Sequence, residues 1–165
     1  MSKNIVVILL IAVIIIYFFW YNTPEQKIKR DLKNLKKSFE KKNVEGVLDK
    51  LSSSFDYYQY TTEDVWEDCE IFFENYEKIK IEIKEINVKV EKKKGISAFG
   101  LRVIGRYGGY HYILVGGIGE LERVVFYWRK EDKKWKIYDC DFPTLKYWIL
   151  VRPEKYKKMK KYIKV

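Results

Sequence analysis

Residues 78–91 read KIKIEIKEINVKVE, and this stretch decides the fold class. Isoleucines at positions 79, 81 and 83 alternate with charged residues, and a second alternating apolar set follows at positions 86, 88 and 90. A period of two is typical of a strand with one buried face. The two sets are out of phase near Lys84-Glu85, so one set would face solvent unless a β-bulge absorbs the extra residue. The sequence therefore predicts one long, bulged and bent strand.

Further strands are predicted after this one. Lys94-Gly95 is expected to form a turn, and Gly108-Gly109 is a hairpin signal that closes the next strand. The segment 110–119, YHYILVGGIG, is apolar and then rich in glycine, and the acidic and basic residues 131–134 form a polar turn. The strands predicted on these signals are 96–107, 121–129 and 135–142.

Three helices are predicted before the first strand. Thr23 is a good N-cap, Pro24 suits the first helical position, and an apolar stripe follows at positions 28, 32, 35 and 39. Asn43 can cap a second, short helix, and Thr62 begins a third whose apolar face includes Cys69 and Phe72. Helices followed by an antiparallel sheet predict an α+β domain, with three helices packed on a curved sheet of four to six strands.

The segment before the first helix is apolar throughout. Residues 5–21 read IVVILLIAVIIIYFFWY, and seventeen helical residues reach roughly 26 Å, close to the thickness of a bilayer's hydrocarbon core. Tyr17, Trp20 and Tyr21 gather at its far end, where aromatic rings favour the headgroup level. A cleaved signal peptide would need small residues after the run, and none follow. We predict a single-pass transmembrane anchor over residues 1–22; a cleaved signal and a buried core helix are the alternatives.

The side of the membrane that holds the domain stays open. Seven basic residues within about twenty positions after the run favour the cytoplasm under the positive-inside rule. A tail as short as the one before Lys3 is typical of a signal-anchor with an exported domain, and this slightly favours the extracytoplasmic side.

The composition limits the classes of partner, metal and cofactor that the protein is expected to bind. The net charge is +10, but lysines interleaved with glutamates argue against a dedicated nucleic-acid groove. Cys69 and Cys140 are far apart in sequence and only His111 could join them, so no metal site is predicted, and no cofactor motif is present. An exported domain could pair the two cysteines in a disulfide, whereas in the cytoplasm they are expected to be buried thiols.

Two phrases carry a resemblance to a known family. Residues 43–58, NVEGVLDKLSSSFDYY, follow the first helix, and residues 126–143, FYWRKEDKKWKIYDCDFP, form a late strand pair containing W-x-I. Together with the element order, they resemble the nuclear transport factor 2-like superfamily over residues 24–143. The resemblance implies a cone in which the sheet wraps around the helices and leaves a pocket at the open end. Residues 108–119 depart from the family pattern.

The residues that could serve such a pocket are few. Aromatic side chains with polar tips suit an apolar ligand pocket. We therefore assign a ligand pocket to Tyr57, Tyr58, Tyr60 and Trp66.

A catalytic alternative rests on acids near the end of the last strand. Asp139 and Asp141 are expected to share a strand face with Trp135 and Ile137. The resemblance implies that one of these acids could act as the base of an isomerase or dehydratase, with tyrosines as donors. His111, the one histidine of the chain, is a further candidate base.

The last segment, 144–165, is predicted to be a basic amphipathic tail. Its lysines could lie on anionic headgroups, and the solvated or frayed tail is the alternative. The predicted membrane-surface residues are Lys155, Lys157, Lys158, Lys160, Lys161 and Lys164.

Taken together, the sequence predicts three parts: an anchor over 1–22, an α+β domain over 23–143 and the tail. The predicted function is a membrane-anchored, non-catalytic binding or scaffold domain. Its predicted partners are membrane lipid together with another protein, a second copy of itself or a small apolar ligand. The pocket enzyme is the alternative.

Overall fold

A computed structural model describes Ile11, Val13 and residues 22–151, with side chains through Trp148. The rest of the predicted anchor and the six lysines predicted to lie on the membrane surface are outside the described residues. Among the helices that are described, none is long and apolar enough to cross a bilayer.

Three helices precede the main sheet, as predicted. The hydroxyl of Thr23 accepts a hydrogen bond from the Gln26 amide at 3.3 Å, and the amide oxygen of Asn43 accepts one from Gly46 at 2.9 Å. The third helix begins at Thr62 as predicted, and its N-cap Thr61 forms a reciprocal capping box with Asp64. The helices are α1 (Pro24–Glu40), α2 (Val44–Leu48) and α3 (Thr62–Asn75).

The main sheet has five antiparallel strands. Strand β4 is central: it pairs with β3 along one side, and on its other side its first half pairs with β6 and its second half with β5. Strand β7 pairs with β6, and a short hairpin of β1 and β2 precedes α3. The strands are β1 (Asp56–Tyr57), β2 (Tyr60–Thr61), β3 (Lys78–Glu91), β4 (Lys94–Tyr107), β5 (Tyr110–Val115), β6 (Glu122–Glu131) and β7 (Lys134–Asp141), and helix α4 (Pro143–Val151) follows.

The bulge predicted in the first long strand is confirmed. Lys84 pairs with Gly100 and Asn87 pairs with Ala98, so two residues of β3 stand opposite one residue of β4. Glu85, inside the bulge, has a φ of 55°. The extra residue restores the phase, and both apolar sets of the strand pack against the core.

The turn predicted at Lys94-Gly95 lies two residues earlier, at Lys92-Lys93. Gly95 is instead inside β4, where a Cβ atom would stand 2.6 Å from Cδ1 of Ile28. The glycine therefore allows α1 to pack closely on the sheet rather than allowing a turn.

The core fills the concave face of the sheet between the strands and the helices. Ile28, Leu32, Val124 and Trp128 are at most 1% exposed. The indole Nε1 of Trp128 donates to the buried hydroxyl of Ser97 at 2.8 Å, which satisfies both polar groups. This part of the interior is closely packed, and the part farther along the sheet is hollow.

Candidate functional site

A cavity of about 240 Å³ lies between the concave face of the sheet and the helices. Its wall is almost entirely apolar, with aliphatic and aromatic side chains from α1, α2, α3 and all five strands of the main sheet. Leu145 and Trp148 of α4 complete the wall. A largely apolar hollow with a few polar groups is typical of a small-molecule site.

One polar pair stands in this wall. The hydroxyl of Tyr60 donates to Oδ2 of Asp68 at 2.5 Å. Burial, followed by the negative charge of Asp68, holds the pKa of Tyr60 well above its ordinary value, so the phenol keeps its proton. The pair therefore offers a neutral hydroxyl and a carboxylate inside an apolar cavity.

Sequence reasoning identified Tyr60 and missed Asp68. Positions 65, 68, 69 and 72 share one helical face of α3, and all four line the cavity. An acid inside an apolar helical stripe was the signal that could have identified Asp68.

Both cysteines are buried and free, and both line the cavity. Burial raises the pKa of the Cys69 thiol to about 12, with the charge of Asp68 adding to the effect. Burial also raises the pKa of Cys140 to about 12, and Asp139 and Asp141 contribute. The two groups are therefore protonated at neutral pH and act as small apolar wall residues.

The four residues assigned to a ligand pocket occupy different environments. Tyr60 lines the cavity, whereas Tyr57 is buried beside it and exchanges hydrogen bonds of 3.4 Å with the backbone of Phe142. Tyr58 is 52% exposed with Lys146 over its ring, and Trp66 is 42% exposed on α3. Within the described chain, the structure therefore brings only Tyr60 of this set to the cavity.

The expectation that Asp139 and Asp141 share a face with Trp135 and Ile137 is wrong. Strand β7 has a bulge of its own, because Trp128 pairs with Ile137 while Tyr127 pairs with Asp139. The extra residue reverses the alternation, so Cys140 is buried against the cavity and Asp141 is exposed. Oδ1 of Asp139 accepts a hydrogen bond from the Cys140 amide nitrogen at 2.8 Å. Neither acid lines the cavity.

His111 lies exposed on β5, opposite Arg106, and does not line the cavity. Across the described residues, no three His, Cys, Asp or Glu side chains come close enough together to hold a metal ion.

Comparison with solved structures shows the fold. A candidate scytalone dehydratase from Novosphingobium aromaticivorans superposes with a TM-score of 0.60 at 11% identity, over 70% of this chain and 79% of that one. A candidate aromatic ring hydroxylase from the same organism gives 0.61 at 17% identity, over 72% and 87%. A candidate dehydratase of the NTF2-like family from Streptomyces avermitilis gives 0.58 at 10% identity, over 70% and 91%.

These likenesses show that the chain has the NTF2-like, cystatin-like fold that the sequence resemblance implied. No family model matches the chain, and no curated protein matches it.

Proposed function

We propose that this domain binds a small, largely apolar molecule in its cavity and is held at a membrane by the apolar segment 5–21. The observation that carries the proposal is a cavity of about 240 Å³ with an apolar wall and the Tyr60–Asp68 pair set into it. Apolar surface supplies affinity, and a few polar groups fix orientation.

The wall indicates the chemistry of the ligand. Aromatic rings of Phe39, Phe72, Phe99 and Phe126 line it, so a flat ring system would find stacking and edge contacts. The Tyr60 phenol donates its one proton to Asp68, so the oxygens that remain for a ligand are acceptors, which suits a ligand with a single hydroxyl group.

Binding can be measured on the full chain in phosphatidylcholine nanodiscs with 6-fluoro-2-naphthol as the probe. The fluorine NMR signal should shift and broaden when the probe enters the cavity, and empty nanodiscs correct for partition into lipid. Ile83→Phe should abolish the protein-dependent signal, because the new ring would occupy the cavity that Ile83 lines.

A matched variant controls for the added ring. Ile96→Phe makes the same change on an exposed residue of the neighbouring strand, outside the cavity, and should leave the signal unchanged. A protein-dependent signal equal in wild type and Ile83→Phe would refute cavity binding.

A second candidate is a pocket enzyme of the isomerase or dehydratase type. It is favoured by the 2.5 Å contact of Tyr60 with Asp68 in the cavity, an acid and a donor within hydrogen-bond reach, and by the names of two fold neighbours. In a dehydration, Asp68 would take the proton next to a carbonyl while Tyr60 gives its phenol proton to the departing hydroxyl, which leaves as water. The proton on Asp68 would then return to the Tyr60 oxygen along their hydrogen bond.

The test substrate is 3-hydroxy-1-tetralone, which loses water and rearranges to fluorescent 1-naphthol. The enzyme hypothesis expects accelerated formation of 1-naphthol, a loss of about 10²-fold or more in Asp68→Asn, and no change in Asp141→Asn. If the protein bound 6-fluoro-2-naphthol but did not convert 3-hydroxy-1-tetralone, the binding hypothesis would stand and this dehydration would be rejected.

Membrane attachment is the remaining part of the proposal. Its support is the uncharged run of seventeen residues, 5–21. The full chain should stay in the membrane pellet after an alkaline carbonate wash, and recovery in the supernatant would reject the anchor. Protease access to the tail, compared between intact cells and inverted vesicles, would show on which side of the membrane the domain lies. A protein partner or a second copy of the chain stays a prediction.

A further inference from the structure

Two hairpin turns lie side by side at one end of the main sheet. Lys94 pairs with Arg129 across β4 and β6, and the Lys130 amide donates to the Lys93 carbonyl at 2.9 Å. We call residues 91–94 and 129–134 the basic end. Its exposed lysines are Lys92, Lys93, Lys94, Lys130, Lys133 and Lys134.

Most of this charge is not neutralised locally. Among the described residues, the salt bridges of the basic end are Arg129 with Glu131 at 2.7 Å and Lys134 with Asp49 at 3.4 Å. The other five exposed lysines form no salt bridge with any residue that the structure describes, and the further acids in the two turns are Glu91 and Asp132. The basic end therefore presents a net positive surface to solvent.

Helix α1 begins at the same end. Ile28, near its start, packs on Gly95, which is two residues from the Lys92-Lys93 turn. Glu40 is the last residue of α1, and its Oε1 accepts a hydrogen bond from the Ile81 amide nitrogen at 2.8 Å. Ile81 lies near the start of β3, at the end of the sheet opposite the basic end. The first turn of α1 and its N-cap Thr23 therefore lie toward the basic end.

Covalent continuity then links the basic end to the apolar segment. Tyr21, the last residue of the run 5–21, is two residues before Thr23, and two residues span at most about 7 Å. Electrostatic attraction to a charged surface acts over about 8 Å at physiological salt. A bilayer that holds the apolar segment would therefore lie on the side of the domain that carries the basic end, and its charge would act on the lysines that come within that distance.

The opposite end of the sheet has a different surface. There Gly108 and Gly109 form the turn between β4 and β5, flanked by Tyr107 at 57% exposure and Tyr110 at 72%. The β4–β5 turn therefore carries exposed aromatic rings, whereas the two turns of the basic end carry lysines.

We propose that the basic end is a contact surface for anionic lipid headgroups, in the bilayer that holds the apolar segment. The contact fixes the orientation of the domain, with the basic end on the membrane and the β4–β5 turn away from it. The inference rests on the proposed anchor, and it involves lysines other than those of the tail.

Orientation can be read with a fluorophore on the full chain in nanodiscs whose lipids carry a nitroxide on the headgroup. The label is placed through Glu91→Cys at the basic end or through Tyr110→Cys at the opposite end, both exposed positions. The native thiols are buried and their pKa values lie at about 12, so labelling at neutral pH selects the introduced cysteine.

The expected result has three parts. Quenching of the label at position 91 should rise when phosphatidylglycerol replaces part of the phosphatidylcholine, and high salt should reverse the rise. The label at position 110 should stay unquenched. The triple variant Lys92→Gln, Lys93→Gln, Lys133→Gln should lower the equilibrium constant for docking by about a hundredfold, since each lysine near an anionic surface contributes about fivefold.

A second triple variant provides the control. Lys37→Gln, Lys41→Gln, Lys78→Gln removes the same charge from exposed positions near the other end, and should leave the quenching unchanged. The tail lysines are present in every variant. Quenching at position 91 that ignores phosphatidylglycerol, or that falls equally in both triple variants, would overturn the proposal.

The outcomes also separate this inference from the anchor. Incorporation into phosphatidylcholine-only nanodiscs tests the anchor, because neutral lipid gives the lysines nothing to bind. If the basic-end variant lost affinity for a single-stranded oligonucleotide while its lipid dependence stayed intact, the surface would be a nucleic-acid site and the proposal would be wrong.

Discussion

The cavity and the basic end lie on one domain and differ in both packing and charge. Around the cavity the helices and the sheet leave about 240 Å³ unfilled, and the wall is apolar apart from Lys36 and the Tyr60–Asp68 pair. Beneath the basic end Ile28 and Trp128 are fully buried, and charge is concentrated outside. A ligand of the cavity is selected by shape, whereas a partner of the basic end is selected by charge.

The largest expected effect is a difference in unfolding free energy between a substitution in the closely packed interior and the same substitution in the cavity wall. Ile28→Ala should lower the free energy of unfolding by about 4–5 kcal/mol, because Ile28 is fully buried against Gly95 and leaves a void that cannot collapse. Ile81→Ala, the same change in the cavity wall, should cost about 2–3 kcal/mol, because Ile81 faces existing empty space. Urea unfolding followed by tryptophan fluorescence measures both, and equal losses would contradict the distinction.

Alkaline pH should lower the free energy of unfolding through the two thiols that line the cavity. The thiols of Cys69 and Cys140 have pKa values raised to about 12 in the folded protein from an ordinary value near 9. The unfolded chain therefore releases these protons first, and stability present below pH 9 is lost between pH 9 and 12, at up to about 1.4 kcal/mol per pH unit for each thiol.

A matched substitution isolates the thiol contribution. Cys69→Ala should make the decline of unfolding free energy above pH 9 shallower, whereas Lys93→Gln at the basic end should leave that slope as in the wild type. Unfolding measured at a series of pH values gives the slopes. An unchanged slope in Cys69→Ala would contradict the assignment of the alkaline loss to buried thiols.

The Tyr60–Asp68 pair should contribute less than the packing does. Tyr60→Phe removes the hydroxyl that donates to the Asp68 carboxylate and should cost about 1–3 kcal/mol of stability, the range for leaving a buried polar group without one of its bonds. Tyr58→Phe changes an exposed tyrosine in the same hairpin and should be neutral within about 0.5 kcal/mol. Thermal unfolding of the two variants provides the comparison.

The smallest effect is expected at Asp49, which forms ion pairs beside the basic end. Partial burial opposes ionisation of Asp49, but hydrogen bonds and charges from Lys50 and Lys136 outweigh it and lower its pKa to about 2. Stability from this group is present above the ordinary pKa near 4 and is lost as pH falls toward 2. Since Asp49 is largely exposed, Lys136→Met should raise its pKa and cost less than about 1 kcal/mol. An NMR titration of the carboxyl carbon measures the shift.

Much of the fold could be predicted because its signals are local. The period of two in residues 78–91, with its phase slip, predicted both β3 and the bulge that the structure confirms. The caps at Thr23 and Asn43 depend on neighbouring backbone amides alone. Of the four residues assigned to a ligand pocket, Tyr60 lines the cavity, and its contact with a ligand stays a prediction.

The wrong placement of Asp139 and Asp141 could have been avoided from the sequence. Apolar residues stand at positions 135, 137 and 140 of β7 and at position 142 directly after it, with the same slip of phase that marks the β3 bulge. Reading that slip would have placed Cys140 inward and Asp139 outward. Asp68 likewise stood inside an apolar helical stripe.

The sequence by itself determined the strand periods, the helix caps, the excess of lysine and the apolar segment, because each depends on residues that are close along the chain. Only the tertiary structure decided that Tyr60 meets Asp68, that Gly95 makes room for Ile28, and that two lysine-rich turns meet where α1 begins. These contacts join residues from different elements. Their positions follow from how the helices fill the concave face of the sheet, and close packing against distant residues is not encoded in any local pattern.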